Sequence, residues 1–143
     1  MYKNSSVIGN MGETIAISEF AKLGFTVLIP FGGNCPYDLV VDNHNNFFKI
    51  QCKTTERIKN GAMDFSICRI NGFTYKKEIY TKKEIDYLFL YCIENNYMAL
   101  VPIEDTNGSA EFRIRIDKPK NNQTKNVHLE KDYLFSEIVK QLK

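Results

Sequence analysis

No apolar run in the 143-residue chain approaches the roughly 20 residues that a membrane span needs, so no membrane partner is expected. The opening Met1 to Ser6 is followed by no apolar signal core, which predicts a cytoplasmic rather than a secreted protein. Histidine is scarce. His44 and His128 are the only two, and His44 falls in a polar turn, which argues against a structural zinc site. Cys35, Cys52, Cys68 and Cys92 are spread singly with no Cys-x-x-Cys pair. In a cytoplasmic chain they read as reduced thiols, with Cys52, Cys68 and Cys92 in strands. The chain also lacks internal repeats, low-complexity tracts and linkers. Nor is there an excess of one charge: a net +2 excludes neither a nucleic-acid binder nor a small-molecule enzyme, because a basic face is easily balanced by acids elsewhere. What is present is ordinary for a globular protein, 43% hydrophobic and 25% charged residues. The length predicts one domain, residues 1–143, large enough to bury a real core.

Residues 36–55 carry most of the information. Pro36-Tyr37-Asp38-Leu39-Val40-Val41-Asp42 and Phe47-Phe48-Lys49-Ile50-Gln51-Cys52-Lys53-Thr54-Thr55 read as two strands around the turn formers Asp42 to Asn46. A hairpin symmetric about the His44–Asn45 bond pairs residues whose numbers sum to 89, and so sets Asp38 opposite Gln51. Side chains alternate along a strand. Phe48, Ile50 and Cys52 then point to one face, while Lys49, Gln51 and Lys53 point to the other.

Asp38, Gln51 and Lys53 on one polar face suit a divalent metal and a phosphate. Mg²⁺ takes oxygen ligands at about 2.0–2.1 Å, from one or two carboxylates with waters and substrate phosphate completing the shell. Asp38 offers a charged oxygen and Gln51 a neutral one, and Lys53 a point charge for a phosphate or an attacking water. Taken singly, each has a plainer role: a turn or cap residue, an outward polar residue, a solubilising lysine. Upstream, Gly9-Asn10-Met11-Gly12-Glu13 precedes a helical pattern over 10–23, with Ala16, Ile17, Phe20, Ala21 and Leu23 on one face and Gly24 closing it. Glu13 has two readings there. It is a fourth acidic member of the site, or it closes a capping box on Asn10.

The order Gly-x-x-Gly-Glu, helix, Gly-Phe-x-Val, Pro-Tyr-Asp-Leu-Val-Val-Asp, Ile-Gln-Cys-Lys-Thr resembles the PD-(D/E)XK nuclease superfamily. It looks most like the small intron-encoded homing endonucleases of that fold, which carry Gln-x-Lys. The resemblance extends through Asp86 to Tyr91 and Tyr97 to Pro102, and covers about residues 9–103. It implies an α/β fold, a restriction-endonuclease-like core with a mixed β-sheet flanked by helices. It also implies hydrolysis of duplex DNA with Mg²⁺, or Mn²⁺ in its place, by a homodimer or homotetramer with no small-molecule cofactor, acting at the nucleoid. Carried over by resemblance, Glu13, Asp38, Gln51 and Lys53 are catalytic, and Asp38, Gln51 and Glu13 hold the metal. Gln51 departs from the superfamily's usual acid, and a neutral oxygen binds a metal less tightly. A junction resolvase or restriction-type enzyme of the same fold, and an inactive DNA-binding module, are the alternatives.

Arg57, Lys59 and Arg69 flank the hairpin and the next strand, 62–70; Lys76 and Lys77 follow, and Arg113 and Arg115 alternate with Phe112, Ile114 and Ile116 in a strand over 111–116. These are the candidate DNA contacts, each weighed against an ordinary solvated surface. Lys118, Lys120 and Lys125 share a loop with Asn121, Asn122 and Gln123. Further strands are expected near 25–29, 86–93 and 97–103. A packing or oligomer helix is expected over 130–142, with Tyr133, Leu134, Ile138 and Leu142 on its face.

Overall fold

The computed structural model describes residues 4–143. Its first helix, α1, spans Ser5–Lys22. Asn4 is the N-cap, its Oδ1 accepting the Ser6 N–H at 2.9 Å. The helix therefore begins well before the expected Asn10, and Gly9 and Gly12 lie inside it. Gly12 is there for space: a Cβ at that position would collide with the Thr54 side chain. At the other end Gly24 adopts φ +88° and donates to Ala21 O at 3.0 Å, while Phe25 N–H reaches back to Phe20 O. That is a Schellman closure, as the glycine predicts.

Strands β1 (Thr26–Leu28), β2 (Leu39–Asp42), β3 (Phe47–Thr55), β7 (Tyr87–Cys92) and β8 (Tyr97–Pro102) form one mixed sheet in the order β1-β2-β3-β7-β8. The β2–β3 register pairs Leu39 with Ile50 and Val41 with Phe48, as the symmetric turn requires. The β3–β7 pairing is parallel, from Ile50–Tyr87 to Thr55–Cys92, and the others in this sheet are antiparallel. One face of the sheet packs on α1. Ala16, Phe20, Leu39, Ile50, Cys52 and Phe89 are buried together there. Phe20, Phe89 and Phe135 meet edge-on or tilted with centroids 5.1–6.3 Å apart, contacts worth about 0.5–1.5 kcal/mol each beyond their buried area.

The opposite face packs on a second layer. The expected strand 62–70 is two strands, because the chain changes partner midway. β4 (Ala62–Ser66) pairs with β9 (Glu111–Arg115), whereas β5 (Cys68–Ile70) pairs with β6 (Lys77–Ile79) in a separate hairpin. β10 (His128–Leu129) completes the smaller sheet beside β9. The expected C-terminal helix is also interrupted. A 3-10 turn at Glu130–Asp132 precedes α2 (Phe135–Ile138), and another 3-10 turn spans Val139–Leu142. The interruption has a cause: Tyr133 O accepts the Leu100 N–H at 3.0 Å and Leu134 bridges Ala99, so this segment extends the edge of β8 instead of coiling. Phe135, Val139 and Leu142 are its buried residues, and Tyr133 and Ile138 are half-buried. No described helix is long and apolar enough to cross a membrane.

Candidate active site

Asp38 lies just before β2, held in place from two directions. Its backbone N–H donates to Ile50 O at 2.9 Å, and its Oδ2 accepts the Cys52 N–H at 2.8 Å. The ladder thus continues one rung past the strand, with a carboxylate substituting for a carbonyl. Gln51 stands across from it on β3 and is only 8% exposed, an uncommon burial for an amide. Its Nε2 donates weakly to Cys52 O at 3.3 Å, and among the described residues its Oε1 accepts nothing. Lys53, two residues on, points the same way and donates to Cys68 O at 3.3 Å. Its ammonium also sits 5.6 Å from the centre of the Tyr80 ring, a cation–π distance.

Glu13 joins them from α1. The capping-box reading fails, because Glu13 lies in the helix interior, far past the N-cap at Asn4. Instead it lines an open groove of about 540 Å³ with Asp38, Gln51, Cys52 and Lys53. All four sequence-predicted catalytic residues therefore meet in one place. The helix comes this close because Gly12 presents no side chain to Thr54, whose buried Oγ1 has no hydrogen-bond partner.

The electrostatics are those of acids short of counter-charge. Burial raises the Glu13 carboxyl above its ordinary range, and the Asp38 carboxylate raises it further. Burial likewise raises Asp38, opposed by the Cys52 N–H and the Lys53 ammonium. The buried Cys52 thiol is pushed well up by desolvation and then by both acids, which keeps it protonated and unreactive. Two mutually repelling carboxylates beside a free amide oxygen fit a hard divalent cation. Among the described residues no three His, Cys, Asp or Glu side chains cluster as a metal site, so a cation held by Asp38 and Gln51 would need water ligands as well, which suits Mg²⁺.

Sequence reasoning missed Tyr80, Glu56 and Ser66. Tyr80 lies against Lys53 and Arg69, and Glu56 and Ser66 line the groove. Glu56 directly follows the hairpin motif and was legible; Tyr80 arrives only through the fold. Of the candidate DNA contacts, Arg57, Lys59, Lys76 and Lys77 are exposed and make no ion pair among the described residues. Arg69 is bound to Glu78 at 2.9 Å and Glu84 at 2.6 Å, and Arg113 to Asp64 at 2.6 Å. Arg115 donates to Asp117 O at 3.0 Å and lines a different hollow with Lys118 and Lys120.

A mixed sheet with a helix across one face, and an acid, amide and lysine at its centre, is the architecture of a restriction-endonuclease-like nuclease. The chain belongs to the PD-(D/E)XK endonuclease family, whose sequence model matches residues 3–136. Nucleases of this family generally work with divalent metal ions, and their substrate is DNA. The fold is similar to that of a bacterial homing endonuclease, I-Ssp6803I, with a TM-score of 0.76 and 20% identity over 97% of this chain and 94% of that one. A weaker likeness, TM-score 0.49 and 17% identity, is to the Holliday junction resolvase Hjc of Archaeoglobus fulgidus, over 75% of this chain and 83% of that one. No curated protein matches the sequence significantly.

Proposed function

We propose that this protein is a site-specific endonuclease of the homing type that hydrolyses phosphodiesters of duplex DNA with Mg²⁺, residues 1–143 forming one nuclease domain. The observation that carries this reading is the convergence of Glu13, Asp38, Gln51 and Lys53 on one groove, through a hairpin register that sets Asp38 opposite Gln51. The near-complete overlap with the fold of a bacterial homing endonuclease supports it.

Asp38 and Gln51 would hold the cation, with Glu13 bound to it directly or through water. The ion, when present, supplies charge stabilisation at the phosphate oxygens. Lys53, steadied by Cys68 O and Tyr80, lies where it orients a phosphate oxygen or the attacking water. Glu13, on the same groove, would take a proton from that water as a bond forms to phosphorus and the bond to the leaving sugar oxygen breaks, that oxygen taking a proton from solvent. The described residues bring these four side chains together in one groove, so cutting both strands would call for at least a dimer, and a two-fold assembly would favour a near-palindromic target. Such an enzyme would act in the cytoplasm, where the nucleoid lies.

Gln51 favours one second reading, a DNA-binding module that has lost turnover, since a neutral oxygen replaces a charged ligand. Incubating the protein with a duplex library, with and without Mg²⁺, separates the two. Recurrent Mg²⁺-dependent cleavage at one long site establishes the homing reading. Salt-dependent binding without turnover establishes the module.

A further inference from the structure

Residues 69–77, Arg-Ile-Asn-Gly-Phe-Thr-Tyr-Lys-Lys, hold three cations, two aromatic rings and no acid. They form most of the β5–β6 hairpin, and its tip is turned outward: Phe73 is 96% exposed and Tyr75 82%. The tip is nonetheless ordered. Asn71 Oδ1 accepts the N–H groups of Phe73 and Thr74 at 2.9 and 3.0 Å, and Asn71 O accepts the Tyr75 N–H at 2.9 Å. The base of the hairpin is braced by Arg69, which bonds both Glu78 and Glu84. Cys68, the first residue of β5, is the acceptor for the Lys53 ammonium. Phe73 lies five positions beyond Cys68, a reach of at most about 17 Å, or roughly five base-pair steps at about 3.4 Å.

A large ring exposed on a hydrogen-bonded, acid-free turn, beside Lys76 and Lys77, which make no ion pair among the described residues, has the make-up of a wedge for nucleic acid. Aromatic faces stack on bases, and apolar wedges enter base steps while lysines hold the flanking phosphates. We infer that the β5–β6 hairpin inserts Phe73 against the bases of duplex DNA beside the phosphate held in the Asp38–Lys53 groove. This rests on the nuclease reading above and adds a distortion of the duplex to it. Lys76 and Lys77, exposed beside the tip, would hold the flanking phosphates.

The chain contains no tryptophan, so Phe73→Trp installs a single reporter at the tip. Phe31→Trp, at another fully exposed ring (106%), serves as the control. Each variant is titrated with a random-sequence duplex pool in EDTA at low salt, and binding is followed in parallel by anisotropy of labelled duplex. The expected result is about twofold or greater quenching of Phe73→Trp on binding, with Phe31→Trp little changed. Phe73→Ala is expected to weaken binding roughly tenfold with an unaltered circular dichroism spectrum. Duplex bound without quenching of Phe73→Trp overturns the wedge and leaves the nuclease reading standing. Emission that shifts with protein concentration alone assigns the tip to a second copy of the chain and also overturns it. No duplex bound by the wild-type protein overturns both.

Discussion

The Asp38 carboxylate accepts the backbone N–H of Cys52 at 2.8 Å, so the proposed metal ligand is also a structural rung between β2 and β3. The two roles separate by mutation. Asp38→Asn keeps an acceptor for Cys52 and is expected to retain stability while losing cleavage. Asp38→Ala leaves a largely buried N–H unpaired, at a cost of about 1–3 kcal/mol, and loses cleavage as well. Thermal melts of both variants beside a cleavage assay decide this; equal melts would deny Asp38 its structural part.

Lys53 donates to Cys68 O, lies over the Tyr80 ring and faces the Asp38 carboxylate, and it is itself only half-buried, so its loss disturbs little of the core. Lys53→Ala is expected to reduce the cleavage rate roughly 10²–10⁴-fold while leaving DNA affinity within about twofold, since one phosphate contact among many is lost. Near-normal nicking by this variant would remove Lys53 from the mechanism.

Glu13 and Asp38 give the metal-free protein a pH dependence of definite sign. Both folded pKa values lie above the ordinary 4.5 and 3.8, so the folded state holds protons that the unfolded chain has released. Their contribution is most favourable below about pH 4, and stability is lost as pH rises through the elevated folded values. Glu13→Gln removes one of the two charges and is expected to raise the melting temperature at pH 7 more than at pH 4. Melts in EDTA across that range test it, and an equal shift at both ends would contradict the desolvated pair.

A cation reverses that burden. Mg²⁺ is expected to stabilise the wild-type protein as RT ln(1 + [Mg²⁺]/Kd), about 2.7 kcal/mol at one hundred times Kd, with less effect as the pH falls and protons compete for the acids. Asp38→Ala is expected to lose the Mg²⁺ response, and Gln51→Glu to tighten it. A Mg²⁺ shift unchanged in Asp38→Ala would place the ion elsewhere.

Gly12 sets the distance between α1 and β3. Gly12→Ala is expected to cost about 1–3 kcal/mol by overpacking against Thr54 and to slow cleavage by displacing Glu13. Thr54→Ala removes the colliding atoms, so the double variant is expected to recover most of both losses. A double-mutant cycle measures the coupling, and strict additivity would mean that the two residues do not meet in solution.

How much of this was legible before the fold was seen varies residue by residue. The β2–β3 register was open to reading, because five consecutive turn formers leave little freedom for the pairing of Leu39 with Ile50. The start of α1 was not. Gly9 and Gly12 look like breakers, whereas Gly12 is inside the helix for a reason that resides in Thr54, dozens of residues away. The split of 62–70 has no local signal either, since it follows from two different partners, β9 and β6. Tyr80 needed the fold to bring it to Lys53. The ion pair of Arg113 with Asp64, opposite each other on β9 and β4, also turns an apparent basic stripe into a largely neutral one.

The parallel pairing of β3 with β7 places a limit on when the candidate groove can assemble. Gln51 and Lys53 lie on β3, but their strand neighbours are Leu88 and Leu90, and the carbonyl and ring that steady Lys53 belong to Cys68 and Tyr80. All four lie downstream in the chain. During synthesis the hairpin with Asp38 can form early, yet Lys53 gains Cys68 and Tyr80 only later, and β3 gains its parallel neighbour only when β7 has emerged and closed a long loop. The candidate groove is therefore incomplete in any chain that stops short of β7, however early its hairpin forms.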